Sequence, residues 1–212
     1  WLLSHFFYLF NRNFGHVDLR IVGTVITFIL FLSILPSWSL NRWKNNNLWV
    51  SIGFNFKCMF QALKNFFGGF IFSVLLIFIL VMFFFLCGWV DEINYIKFSE
   101  FLNAILLIVG VVFAEEIIFR VWLMEEMVML FGLRKGILAQ AAIFSIAHYR
   151  SDIGFFALIP FFTGLFLFGL ILTFRRTTDK CSLFGCLGLH GGLVGIWYLI
   201  DSVMVIFSTE TP

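Results

Sequence analysis

Charge is what this sequence has least of. Only 12% of its 212 residues are Asp, Glu, Lys or Arg, about half the share in a soluble domain. The net charge of +2 is too small to suggest a nucleic-acid partner. Cysteine is also sparse: Cys58, Cys87, Cys181 and Cys186 form no disulfide framework. Cys181 and Cys186 lack the two further thiols of a zinc knuckle, so the cysteines read as small apolar filler. No basic stretch leads into a cleavage site, so no signal peptide is read. No internal repeat, low-complexity linker or boundary of a second domain is visible, and 1–212 reads as one membrane domain.

What the sequence has instead is apolar length. It is 61% hydrophobic, with 32 phenylalanines and a mean hydropathy of +1.02. Such a chain belongs in a bilayer, where only helices and closed barrels satisfy their own backbone. Barrel strands alternate apolar and polar residues; the runs here are continuous. The expectation is an all-α, polytopic transmembrane helix bundle of about six spanning helices. Their ranges are 21–40, 66–89, 101–124, 137–148, 154–174 and 183–207. Residues 1–10 suit a partial N-terminal helix or an interfacial segment. Trp38, Trp43 and Trp49 are placed as interfacial anchors. Residues 55–67 suit a short surface helix, and Asp91, Glu92 and Lys97 mark a turn. Basic residues at 42–64, 134–135 and 175–180 fall on one side if the six spans alternate, and the positive-inside rule makes that side the cytoplasm.

Within the third span, Glu115, Glu116 and Arg120 interrupt an apolar run. On insertion scales each charge near a membrane-helix centre costs roughly 2.5–3.5 kcal/mol. Glu116 and Arg120 are four residues apart, acid first, and share a helix face. Glu115 is rotated by about 100°. The three therefore divide into an internal ion pair, Glu116 with Arg120, and one free carboxylate, Glu115, suited to general-base chemistry.

Two histidines lie at similar depth. Gln140, Phe144 and His148 follow one another at four-residue steps, and His190 sits among Gly185, Gly188, Gly192 and Gly195. Small residues at that spacing let a neighbouring helix approach closely. Counting from the cytoplasmic ends, His190 lies roughly 10 Å in, Glu115 roughly 14 Å and His148 roughly 18 Å. A Glu and two His from three helices in one slab resemble a water-activating site, with the carboxylate as base and the imidazoles as orienters, oxyanion donors or metal ligands. His5 and His16 lie outside the spans and read as solvated.

Glu115-Glu116-x-x-x-Arg120, then Phe144-x-x-x-His148, then His190 opening a glycine-rich helix, together resemble the CPBP family of intramembrane proteases. That family takes in type II CAAX prenyl endopeptidases and bacteriocin-processing or immunity (Abi-like) proteins. The resemblance covers about 101–199. It implies that Glu115 and His148 activate water and that His190 helps stabilise the oxyanion. It implies supporting roles for Glu116, Arg120, Phe144 and the position of Val194. The family's third motif often reads His-x-x-x-Asn, and here Val194 stands in the last place, so a side-chain amide donor is missing. The family is often called a metalloprotease, and a metal-free mechanism has also been argued for it. A Glu115, His148, His190 set leaves zinc open as a cofactor. There is no His-Glu-x-x-His motif, so ordinary zincin logic does not apply.

The reading is an intramembrane endopeptidase that cleaves a peptide or lipidated protein near the cytoplasmic face. It sits among membrane lipids, with a bacterial inner (plasma) membrane as the expected location. One alternative is a non-catalytic scaffold or immunity protein, which Val194 supports. Another is a proton- or ion-coupled transporter, against which stands the lack of an inverted repeat.

Overall fold

The computed structural model describes residues 19–150, 154–179 and 182–206. His5, His16 and the segment 1–10 lie outside them. Read from sequence, 1–212 is one domain; by its contacts the chain falls into two compact units, Trp1–Leu48 and Trp49–Pro212.

In the first unit, helix α1 (Leu19–Trp38) continues into a π-helical turn, Ser39–Trp43. Lys44, at φ 57°, ends it, with its ammonium donating to the Asn41 carbonyl at 2.9 Å.

The second unit holds α2 (Met59–Leu86), α3 (Phe98–Phe131), α4 (Leu133–Ala147), α5 (Phe155–Thr178) and α6 (Phe184–Val203). Among the described residues five helices are long and apolar enough to cross a membrane: α2, α3, α5, α6 and the helix of the first unit. The difference from six is α4. Its 15 residues reach about 22 Å, short of a hydrocarbon core of about 30 Å. Nor is there a separate surface helix at 55–67. No proline falls between Met59 and Leu86, and Gly68 and Gly69 are carried within the helix, so α2 runs from Met59 through its apolar stretch unbroken.

Glycine sets the packing. The buried positions of α2 are Ala62, Asn65, Gly69, Ser73 and Ile77, steps of three and four that make one helical stripe. That stripe lies on α6. A Cβ on Gly188 would run into the Phe66 carbonyl, and one on Gly192 into the Ser73 hydroxyl. On its other side α6 meets α3, where Gly191 and Gly195 abut Ile108. In a bilayer, apolar burial does not drive helices together, and close backbone approach through small residues takes its place. The outward sides of α2 carry exposed Phe67, Ile71, Leu75 and Phe78, as a lipid-facing surface does.

The turn expected at 91–97 opens with a short strand. Val90–Ile93 pairs antiparallel with Met204–Ile206. The cause is the parallel course of α2 and α6, whose C-terminal ends emerge side by side. At the opposite end Gly132 (φ 75°) reverses the chain between α3 and α4, and Gly136 packs on the Val128 backbone. This is the basic end, which carries Arg134, Lys135, Arg175 and Arg176.

Gly188→Leu is expected to prise α2 from α6 and to cost more than the about 1–3 kcal/mol of ordinary overpacking, because backbone atoms cannot yield. Gly164→Ala, where a Cβ meets nothing within 4 Å, leaves stability unchanged or raised. Unfolding of the purified variants in detergent micelles measures the contrast.

Candidate active site

Glu115 sits where two π-helical stretches of α3 meet, Leu107–Val112 before it and Glu116–Leu123 after it. Wider turns of this kind recur at functional sites because they re-aim side chains that a regular helix would send elsewhere. Here they let two adjacent carboxylates address one imidazole. Glu116 Oε1 lies 2.8 Å from His190 Nδ1, and Glu115 Oε2 lies 3.7 Å from His190 Nε2. Glu115 Oε2 is also 3.5 Å from His148 Nε2.

The protons on the two rings follow from their other partners. His148 is the residue just past α4, and its Nδ1 is 2.7 Å from the Phe144 carbonyl oxygen. A carbonyl only accepts, so Nδ1 carries the hydrogen and Nε2 presents a lone pair. His190 Nδ1 likewise donates to the Glu116 carboxylate. In their neutral forms both rings thus turn an acceptor nitrogen towards the acceptor oxygen of Glu115. Three acceptors facing one another call for a shared donor beside them, and water is the smallest that supplies two hydrogens. Glu115 and His148 are each about a quarter exposed, at 25% and 28%, while His190 is at 5%. The site is open on the side of Glu115 and His148 and closed behind His190.

Behind it lies Arg120, fully buried with Glu116. Its Nη1 is 3.6 Å from Glu116 Oε1, and its guanidinium stacks 4.0 Å from the Phe144 ring centroid. Phe144 is also fully buried. Its ring centre is 4.5 Å from that of His148 and 6.2 Å from that of His190, so one aromatic side chain touches the cation and both imidazoles. Phe168 on α5 closes the far side of His190 at 5.3 Å. Glu116 Oε2 and all three guanidinium nitrogens of Arg120 have no hydrogen-bond partner among the described residues. A buried donor or acceptor left unmade costs about 1–3 kcal/mol.

Glu115, His148 and His190, which the sequence places at one depth on three helices, are brought together, with Glu116, Arg120 and Phe144 around them. Val194 is half-buried one turn beyond His190 on α6 and carries no donor. The sequence pairs Glu116 with Arg120 alone, yet its oxygen is nearer to His190. No sequence signal shows that contact, because it depends on the π-helical turns. Phe168 and Thr173 were equally silent, each one apolar or small residue in an apolar run. Gln140, on the face shared with Phe144 and His148, turns to Thr173, whose hydroxyl donates to its Oε1 at 2.9 Å. Among the described residues no group of three or more His, Cys, Asp and Glu side chains is placed to hold a metal ion.

Glu116→Leu is expected to cost about 3–5 kcal/mol of stability, because it strands a buried cation. Adding Arg120→Met in the same chain should restore most of it. Denaturation of the single and double variants checks the sign of the coupling.

Residues 97–196 match the family model described as type II CAAX prenyl endopeptidase Rce1-like. The match includes every residue of the site, from Glu115 to Val194. Residues 1–47 match a second model, described as a domain of unknown function, which ends where the first compact unit does. No curated protein and no solved structure matches the chain.

Proposed function

We propose that this chain, which belongs through residues 97–196 to the Rce1-like type II CAAX prenyl endopeptidase family, is an intramembrane endopeptidase in which Glu115 and His148 activate the attacking water. The observation that carries the reading is the placement of Glu115 Oε2 opposite two imidazole nitrogens, 3.5 Å from His148 and 3.7 Å from His190. A water oxygen about 2.8 Å from both Glu115 and His148 fits that spacing. It gives one hydrogen to each and keeps a lone pair for the scissile carbonyl carbon.

In the reaction Glu115 takes a proton from the water as its oxygen bonds to the carbonyl carbon. The carbonyl oxygen becomes an oxyanion facing His190, which enters the reaction protonated on both ring nitrogens and donates to it from Nε2. Glu116, on the other nitrogen of that ring, balances the imidazolium charge, the role a carboxylate has beside histidine in a triad. The proton held by Glu115 then passes to the leaving nitrogen, and the C–N bond breaks to give an acid and an amine. The substrate is a peptide or lipidated protein at the cytoplasmic membrane face. The quarter-exposed edge between Glu115 and His148 supports entry there.

Val194 favours a second reading, a non-catalytic scaffold or immunity protein, since it puts a methyl-bearing side chain where the family often has an amide. The two separate cleanly. In nanodiscs, with a panel of lipidated and unmodified peptides, the wild type should cleave while Glu115→Gln and His148→Ala lose at least about 10²-fold in kcat. Equal cleavage by wild type and Glu115→Gln sinks the mechanism. Val194→Asn should raise kcat by about tenfold or more, as one added oxyanion donor can. A wild type that cleaves nothing, with partner binding intact in Glu115→Gln, favours the scaffold.

A further inference from the structure

A chain of buried polar side chains leads away from the active site on the side opposite its open edge. It starts at His190, whose ring is bonded to Glu116. Arg120 pairs with Glu116 and lies on Phe144. One turn back along α4 from Phe144 is Gln140, bonded to Thr173 on α5. Three residues further along α5 is Arg176, whose Nη2 is 3.9 Å from Glu125 Oε1 at the basic end of α3. Glu116, Arg120, Gln140 and Thr173 are all fully buried, and Arg176 is 3% exposed; Glu125 reaches the surface, at 41%.

This row is under-supplied with acceptors. The atoms without a hydrogen-bond partner among the described residues are Arg120 Nε, Nη1 and Nη2, Gln140 Nε2, Arg176 Nη1 and Glu116 Oε2, five donors and one acceptor. They lie on consecutive members of the row rather than scattered through the bundle. Small molecules that both accept and donate satisfy such groups, each with two to four polar partners. The geometry points to a hydrated seam that carries water from the basic end, at Glu125 and Arg176, past Gln140 and Arg120 to the back of the active site.

The chemistry gives the seam a use. Each hydrolysis consumes one water in a site walled by membrane helices, and a substrate lying along the open edge of Glu115 and His148 blocks that edge. A rear path lets the next water reach the site with substrate or product still in place. The supply role rests on the endopeptidase reading; the hydration of the seam does not, and the two are tested separately.

Thr173 and Leu172 are neighbours of equal depth, both fully buried. Thr173 faces the seam, whereas Leu172 packs in an apolar cluster with Cys186 and Leu189. In full-length protein with its four cysteines replaced by alanine, Thr173→Cys and Leu172→Cys are exposed in nanodiscs to silver ion, which is close to water in size. The probe is read as protection from later maleimide labelling of the denatured chain. Thr173→Cys should react about tenfold faster or more than Leu172→Cys, since access governs thiol reactivity. Gln140→Cys gives the same readout should Thr173→Cys fail to fold. Equal rates at the two positions, fast or slow, overturn the seam.

In the active enzyme Arg176→Met should lower kcat by about tenfold at unchanged KM, with recovery in Arg176→Lys. A kcat at the wild-type level in Arg176→Met overturns the supply role. Wild-type protein that cleaves no peptide overturns the endopeptidase reading, while the silver rates still decide the seam.

Discussion

A guanidinium enclosed among membrane helices is the constraint that the site is built to meet. Arg120 has no exposed surface and cannot shed its proton. Its counter-charge, Glu116, is equally enclosed and holds His190 with the same oxygen. The cation's flat face is covered by Phe144, whose edge and backbone in turn set His148. Both histidines are therefore fixed through partners of one buried charge. Replacing an enclosed ion pair by apolar residues often leaves stability intact or better. Its value here is positional: it orients two rings from two different helices towards Glu115.

The second constraint is close backbone approach. The glycines of α6 are in contact with α2 on one side and α3 on the other. This removes side-chain volume from the helix that carries His190 and puts main-chain atoms in its place. A membrane helix has no hydrophobic gain from packing against its neighbours, so contact of this kind decides which helices touch. The remaining apolar bulk, largely phenylalanine and leucine, faces outward.

Much of this was legible in the sequence, because the informative residues are conspicuous where they stand. Three charges in an apolar helix, two histidines and a run of glycines each break the surrounding pattern, and simple counting of rise per residue brings them to one depth. The bundle class follows from composition alone. What stayed hidden depends on departures from regular helix. Glu116 reaches His190 only because α3 widens into π-helical turns beside Glu115, and no residue in Ile117–Arg120 announces that. The end of α4 was read to within a residue, but its reach was misjudged, because its apolar pattern resembles that of a spanning helix while its 15 residues are too few to cross the hydrocarbon core. The ribbon of Val90 to Ile93 with Met204 to Ile206 joins chain ends 110 or more positions apart and has no local signature.

The two imidazoles differ in how they are held. His190 is on a helix clamped by glycine contacts on two sides and is bonded to a buried carboxylate. His148 stands just past the end of a short helix, part-exposed, with its ring on Phe144 and one bond to the carbonyl a turn behind it. The more yielding side of the site is therefore the His148 side, and the Glu115–His190 side is the fixed one. Divergence among such sites should then accumulate around the end of α4, while the side opposite keeps its shape.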